Sequence, residues 1–136
     1  MKKSVFQEKE DTYIALEKII AEIARNPYKI YYSDFYNEYR GIRSRINLYG
    51  SDKVIAVLSQ FNSKISMIHD EYQEKFYSEG ALIERDNLLS GGEVTEFELD
   101  QDKERYMENK ALPVSEVRAV YDELIKQIRS ELKTDK

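Results

Sequence analysis

Cysteine is absent from this chain. That excludes disulfides, thiolate metal sites and a cysteine nucleophile, and nothing demands an oxidising compartment. Histidine is nearly absent too, His69 being the single one. Proline occurs only as Pro27 and Pro113, so long helices can run uninterrupted between them. No stretch approaches the ~20 apolar residues of a membrane span. Met1-Lys2-Lys3-Ser4 leads into only two apolar residues, Val5 and Phe6, before Gln7-Glu8-Lys9-Glu10. A secretory leader needs a longer apolar run, so cytoplasmic residence is expected, with no membrane association.

What is present fits a single helical domain over residues 1–136. Charged residues make up 35% and hydrophobic residues 41%. The charge is well above the usual quarter, while apolar content is only slightly low, so a core with a large solvated surface is expected. The net charge is −5, and the stretch from Glu93 to Glu108 carries seven acids and two bases. That segment alone accounts for the imbalance, so global repulsion of a polyanion does not follow.

Apolar spacing predicts four long helices, over about 4–25, 33–49, 51–77 and 114–133. In the first, Phe6, Tyr13, Leu16, Ile19, Ile20 and Ile23 share a face, and Asn26-Pro27 ends it. In the second, Phe35, Tyr39, Ile42, Ile46 and Tyr49 step by 4, 3, 4 and 3, with Ser33 expected as N-cap. Gly41 lies inside this helix, which suggests close packing there. Gly50 suits a left-handed helix end, and Ser51 the cap of the next helix, so a tight αα-hairpin is expected.

The third helix has the clearest stripe. Val54, Leu58, Phe61, Ile65, Ile68, Tyr72 and Phe76 step by 4, 3, 4, 3, 4 and 4. One short hairpin partner cannot bury it, so other helices must cover it, and any part left bare predicts a homodimer. In the last helix Val117, Tyr121, Leu124, Ile128 and Leu132 form the apolar face, and Lys126, Arg129 and Lys133 complement the dipole at its end. Residues 80–112 read as a long irregular acidic crossing. Ala81 to Leu89 is compatible with a short helix, and Val94, Phe97 and Leu99 with a strand or an extended run. The fold expected is all-α and four-helix bundle-like.

No chemical motif is complete. His69 precedes Asp70, but Ser66 stands where a Glu-x-x-His metal pair needs its carboxylate. His69 is therefore expected at an edge or facing solvent. Asp100-x-Asp102-x-Glu104 resembles the start of a calcium loop, yet Arg105 replaces the turn glycine and Ala111 the chelating twelfth residue. Gly91-Gly92 lacks the lysine of a phosphate-binding loop and reads as a turn. No cofactor, no metal and no catalytic group is expected.

Tyrosine and arginine concentrate between Tyr28 and Tyr49. Tyr32, Tyr36, Arg40, Arg43 and Arg45 form the candidate partner-binding set, because these residue types dominate binding hot spots. With Lys29 they could instead contact a nucleic acid, although the pI of 5.1 and the nearby Asp34 and Glu38 oppose that. Charge complementarity further suggests that the acidic segment folds onto Arg40, Arg43 and Arg45.

The stretch from Phe35 to Ile55, with Leu48-Tyr49-Gly50-Ser51 followed by Val54-Ile55, resembles small bacterial helical proteins that carry a Leu-Tyr-Gly-Ser-x-x-Val-Ile hairpin. The resemblance implies a helical hairpin in a bacterial or phage setting and carries no activity or site residue. The expected function is a non-catalytic protein-interaction or regulatory module. The alternative is a nucleic-acid-associated factor.

Overall fold

The computed structural model describes residues 4–134, with side chains through Leu132. Met1–Lys3, where the leader expectation begins, and the Lys133 side chain lie outside the described residues. Helix α1 spans Val5–Arg25 and starts where the Ser4 hydroxyl accepts from the Gln7 amide at 3.1 Å. Asn26 ends it and caps a 3₁₀ turn, Pro27–Tyr31, by accepting from the Tyr28 amide. Helix α2 follows over Ser33–Tyr49 and α3 over Asp52–Tyr77. Then come α4, Glu79–Ser90, α5, Glu96–Lys110, and α6, Val114–Thr134. No strand occurs among the described residues, so the protein is all-α.

The expected stripes form the core. Tyr13, Leu16, Ile20 and Ile23 of α1 meet Tyr39 and Ile46 of α2, Val54, Leu58, Phe61 and Ile65 of α3, and Val117, Leu124 and Ile128 of α6. Tyr39 donates a hydrogen bond to Asn62, and Tyr36 one to Ser66, so α2 and α3 run antiparallel as the short turn requires. Lys64 pairs with Glu116 and Ser51 with Glu131, so α6 runs antiparallel to α3. Helix α1 packs chiefly on α2 and α6, and α3 chiefly on α6 and the 3₁₀ turn. The α3 stripe is buried within one chain from Val54 to Tyr72.

The short helix that Ala81 to Leu89 allowed is there as α4, but the rest of 80–112 departs from expectation: α5 stands where an irregular acidic crossing, a strand or an extended run was expected. A single residue, Ser78, separates α3 from α4, and its hydroxyl accepts from the Ala81 amide at 3.2 Å. Thr95 caps α5 by accepting from the Glu98 amide at 3.2 Å, and it donates to the Glu98 carboxylate at 3.2 Å. Thr95-x-x-Glu98 is the capping-box sequence pattern, here closed through the Thr95 hydroxyl. Glu96 and Glu98 also sit favourably at the positive end of the helix dipole. Neither α4 nor α5 has a buried residue, so apolar periodicity has nothing to report there.

Three glycine and cap details also differ. Tyr32, not Ser33, is the N-cap of α2, and it makes no side-chain capping bond. Gly50 is extended, at φ −76° and ψ 156°, not left-handed. Its glycine requirement is a close approach, since an added Cβ would stand 2.7 Å from the Ile46 carbonyl oxygen. Gly41 has nothing within 4 Å of an added Cβ, so close packing is not why it is there. Ser51 does cap α3 as expected, accepting from the Val54 amide at 3.1 Å.

Candidate functional site

The tyrosines and arginines expected to form one binding face have separate fates. Tyr36 is buried, its hydroxyl donating to Ser66 Oγ at 3.1 Å. Arg43 is half-buried and donates to the same oxygen at 3.2 Å. Arg40 is exposed and lies over the Tyr36 ring at 6.0 Å. Arg45 is half-buried, while Tyr32 is exposed and lines a cleft on another face of the molecule. Lys29 pairs with Glu22 at 3.5 Å and lies over Phe35. Arg40 with its neighbours is thus largely the edge of the α2–α3 packing.

His69 is buried, contrary to the exposed or edge position expected. Its ring stacks on Tyr36 with centroids 3.8 Å apart. Its Nδ1 lies 2.8 Å from the Ile30 carbonyl oxygen, which assigns the ring proton to Nδ1. The hydrogen bond ties the 3₁₀ turn to α3. His69 is a core residue that satisfies a backbone carbonyl, since such groups rarely remain unpaired inside a protein.

The acidic segment does not cover the arginine face. Glu96 and Asp100 of α5 pair with Arg85 of α4, at 3.4 and 3.9 Å, and Asp102 pairs with Arg105. Helix α5 docks instead on the end of α3 through aromatic rings. Tyr106 stacks with Tyr72 at 6.5 Å and meets Phe76 edge-on at 5.3 Å. Tyr31 adds a hydrogen bond from its hydroxyl to the Met107 carbonyl at 2.8 Å. Burial pushes the Tyr31 phenol up to about 12, so it stays a neutral donor at any ordinary pH.

At the centre of this docking lies Lys103. Its ammonium is 5.6 Å from the Tyr72 ring centroid, 5.9 Å from Phe76 and 4.5 Å from Tyr77. It also hydrogen-bonds the Tyr77 hydroxyl. That bond holds the Tyr77 phenol below its ordinary value, while burial raises Tyr72. A cation within about 6 Å of a ring face is attracted by the ring quadrupole, and each such contact adds. The periodic stripe of α3 concealed this arrangement, because Tyr72 and Phe76 looked like core and Lys103 like part of a solvated acidic run.

Two clefts flank the lysine. One of about 530 Å³ lies between α3, α4 and α5 and is lined by Leu82, Arg85, Leu99, Asp100 and Lys103. The other, about 570 Å³, opens between the 3₁₀ turn and α5, with Tyr32, Asp34, Tyr72 and Glu104 on its walls. Lys103, Tyr77 and Asp100 line both. Ten acids and four bases fall within residues 79–110, a net −6 against −5 for the whole chain. Leu82, Ile83 and Phe97 of the same arm are exposed, at 43%, 54% and 69%.

A second polar cluster ties α1, the α2–α3 turn and the C-terminal part of α6 together. Glu131 on α6 accepts from the Tyr13 hydroxyl at 2.9 Å, the Ser51 hydroxyl at 2.8 Å and Gln127 Nε2 at 2.9 Å. Lys9 lies 3.4 Å away. Tyr13 in turn accepts from the Ser51 amide at 3.0 Å. Burial pushes the Glu131 carboxyl up, but the bonds from Gln127, Ser51, Tyr13 and Lys9 outweigh it, leaving the group below its ordinary value. Three hydrogen bonds and an ion pair converge on the carboxylate and tie α1, the α2–α3 turn and α6 together, which is a structural role.

Among the described residues no group of three or more His, Cys, Asp or Glu could hold a metal ion, and no helix is long and apolar enough to cross a membrane. No protein-family model, curated protein or solved structure matches the chain.

Proposed function

We propose that this protein is a non-catalytic interaction module whose binding surface is the α4–α5 arm. The observation that carries the proposal is the arm's composition. It buries none of its own residues, keeps Leu82, Ile83 and Phe97 exposed, and holds the chain's whole excess of negative charge. Apolar side chains rimmed by charge of one sign suit a protein partner of opposite charge, since apolar contact supplies affinity and charge supplies orientation and on-rate. Core packing does not explain Leu82, Ile83 and Phe97, which lie outside the core cluster, whereas Tyr106 and Met107 of α5 pack against it.

The surface around Arg40 is the weaker candidate, since Tyr36 is buried and Arg43 is engaged with Ser66. Nucleic acid is disfavoured by the same acidic arm. The test is affinity capture with quantitative mass spectrometry, using the intact chain and variants. A protein recovered by the wild type is expected to be lost with Leu82→Asp or Phe97→Asp and kept with Arg40→Glu. Recovery lost with Arg40→Glu and kept with both arm variants would overturn the proposal.

A further inference from the structure

We propose that the Tyr72–Phe76–Tyr77 pocket is a recognition site for an ammonium side chain, and that Lys103 occupies it as a stand-in when no partner is bound. This deepens the proposed interaction function and names the partner's chemistry: a basic segment presenting lysine.

The pocket is built on one turn and a half of α3, with Tyr72 3% exposed and hence rigidly held by the core beneath it. The three rings surround Lys103 Nζ at 4.5 to 5.9 Å. Tyr72 and Tyr77 meet edge-on at 5.7 Å and Tyr72 and Phe76 pack tilted at 5.3 Å, so the walls pack on one another without the lysine. Asp100, which pairs with Arg85, lines both clefts beside the lysine. Access is present from two sides, because the clefts beside Lys103 are open rather than enclosed. Lys103 itself reaches the rings from α5, which has no buried residue and is also held by Tyr106 on Tyr72 and Phe76 of α3 and by the Tyr31 bond from the 3₁₀ turn. Withdrawal of Lys103 empties no core position, and an incoming lysine would replace the cation–ring contacts it gives up while its neighbours meet the acidic arm.

The test uses tetramethylammonium chloride as probe, with sodium chloride matched for ionic strength. Aromatic-ring NMR shifts are followed in the wild type, Lys103→Ala and Arg105→Gln, the last losing the same charge outside the pocket. Saturable shifts of Tyr72, Phe76 and Tyr77 are expected in Lys103→Ala, with at least tenfold weaker response in the wild type and Arg105→Gln. Tyr77→Ala added to Lys103→Ala is expected to abolish them. Absence of saturable shifts in Lys103→Ala overturns the proposal. So does loss of the Tyr72–Phe76 ring contact in that variant, because the pocket must stand without its lysine. The probe needs no protein partner, so capture lost with Arg40→Glu and kept with both arm variants, beside a positive titration, removes the arm proposal alone.

Discussion

Removing the Glu131 carboxylate is expected to cost as much as a core substitution on α6, although the residue is polar. The side chain is 14% exposed, so solvent screens it only partly. It accepts three hydrogen bonds, from Tyr13, Ser51 and Gln127, and pairs with Lys9. A bond to a charged group contributes roughly 1.5–3 kcal/mol, but bonds to one carboxylate are not additive. Glu131→Ala leaves the buried Tyr13 hydroxyl short of an acceptor and opens space beside the α2–α3 turn. A loss of about 2–4 kcal/mol follows. Glu131→Gln keeps the volume and one acceptor and should lose about half as much. The assay is urea unfolding at pH 7 followed by helix circular dichroism, with an unchanged slope expected. The pH dependence has a definite sign. The folded carboxyl sits below its ordinary value of 4.5, so its contribution is fully present above about pH 4.5 and is lost as pH falls through the folded value. Glu131→Gln should therefore lose less stability than the wild type between pH 5 and acid unfolding. A change under about 0.5 kcal/mol for Glu131→Ala, the size of an ordinary surface substitution, would refute the reasoning.

Other substitutions probe other levels of the structure. Gly50→Ala is expected to destabilise by roughly 1–2 kcal/mol in the same urea assay, because its Cβ would press on the Ile46 carbonyl at 2.7 Å. Gly41→Ala is expected to do the opposite and raise stability by about 0.5–1 kcal/mol, since the added methyl meets open space in mid-helix. Thr95→Ala should weaken α5 locally by about 1 kcal/mol, seen as faster amide exchange at its first turn with global unfolding unchanged. His69→Ala leaves the Ile30 carbonyl without its donor and empties the space under Tyr36, for a loss of about 2–4 kcal/mol in thermal or urea unfolding.

Four helices were legible in the residues because each buries a stripe. Val54, Leu58, Phe61, Ile65 and Ile68 recur at the helical period only because one face of α3 meets other helices. The same logic hid α4 and α5. They bury nothing, so their helicity comes from local terms: the Ser78 cap, the Thr95–Glu98 capping box and the Arg85–Asp100 pair that joins them. The capping box could have been found, since Thr95-x-x-Glu98 is a sequence pattern with a mechanism.

The candidate site was less legible, for a reason of distance. Spacing along one helix decides which side chains share a face, so Tyr36, Arg40 and Arg43 looked like a unit. It does not decide whether that face is covered, and α3 covers Tyr36 through Ser66 and His69. Lys103 meets Tyr77 across 26 positions, and Glu131 meets Ser51 across 80 and Tyr13 across 118. By itself, then, the sequence determined the helical class, the stripes of the core, the Ser51 turn and where the acidic charge lies. All of these depend on neighbours a few residues apart. Tertiary structure alone decided that His69 is buried, that Gly50 is needed for closeness rather than for a left-handed turn, and that a lysine from the acidic segment rests among three rings of α3. Those outcomes depend on which helices meet, and that is set by the packing of the whole chain.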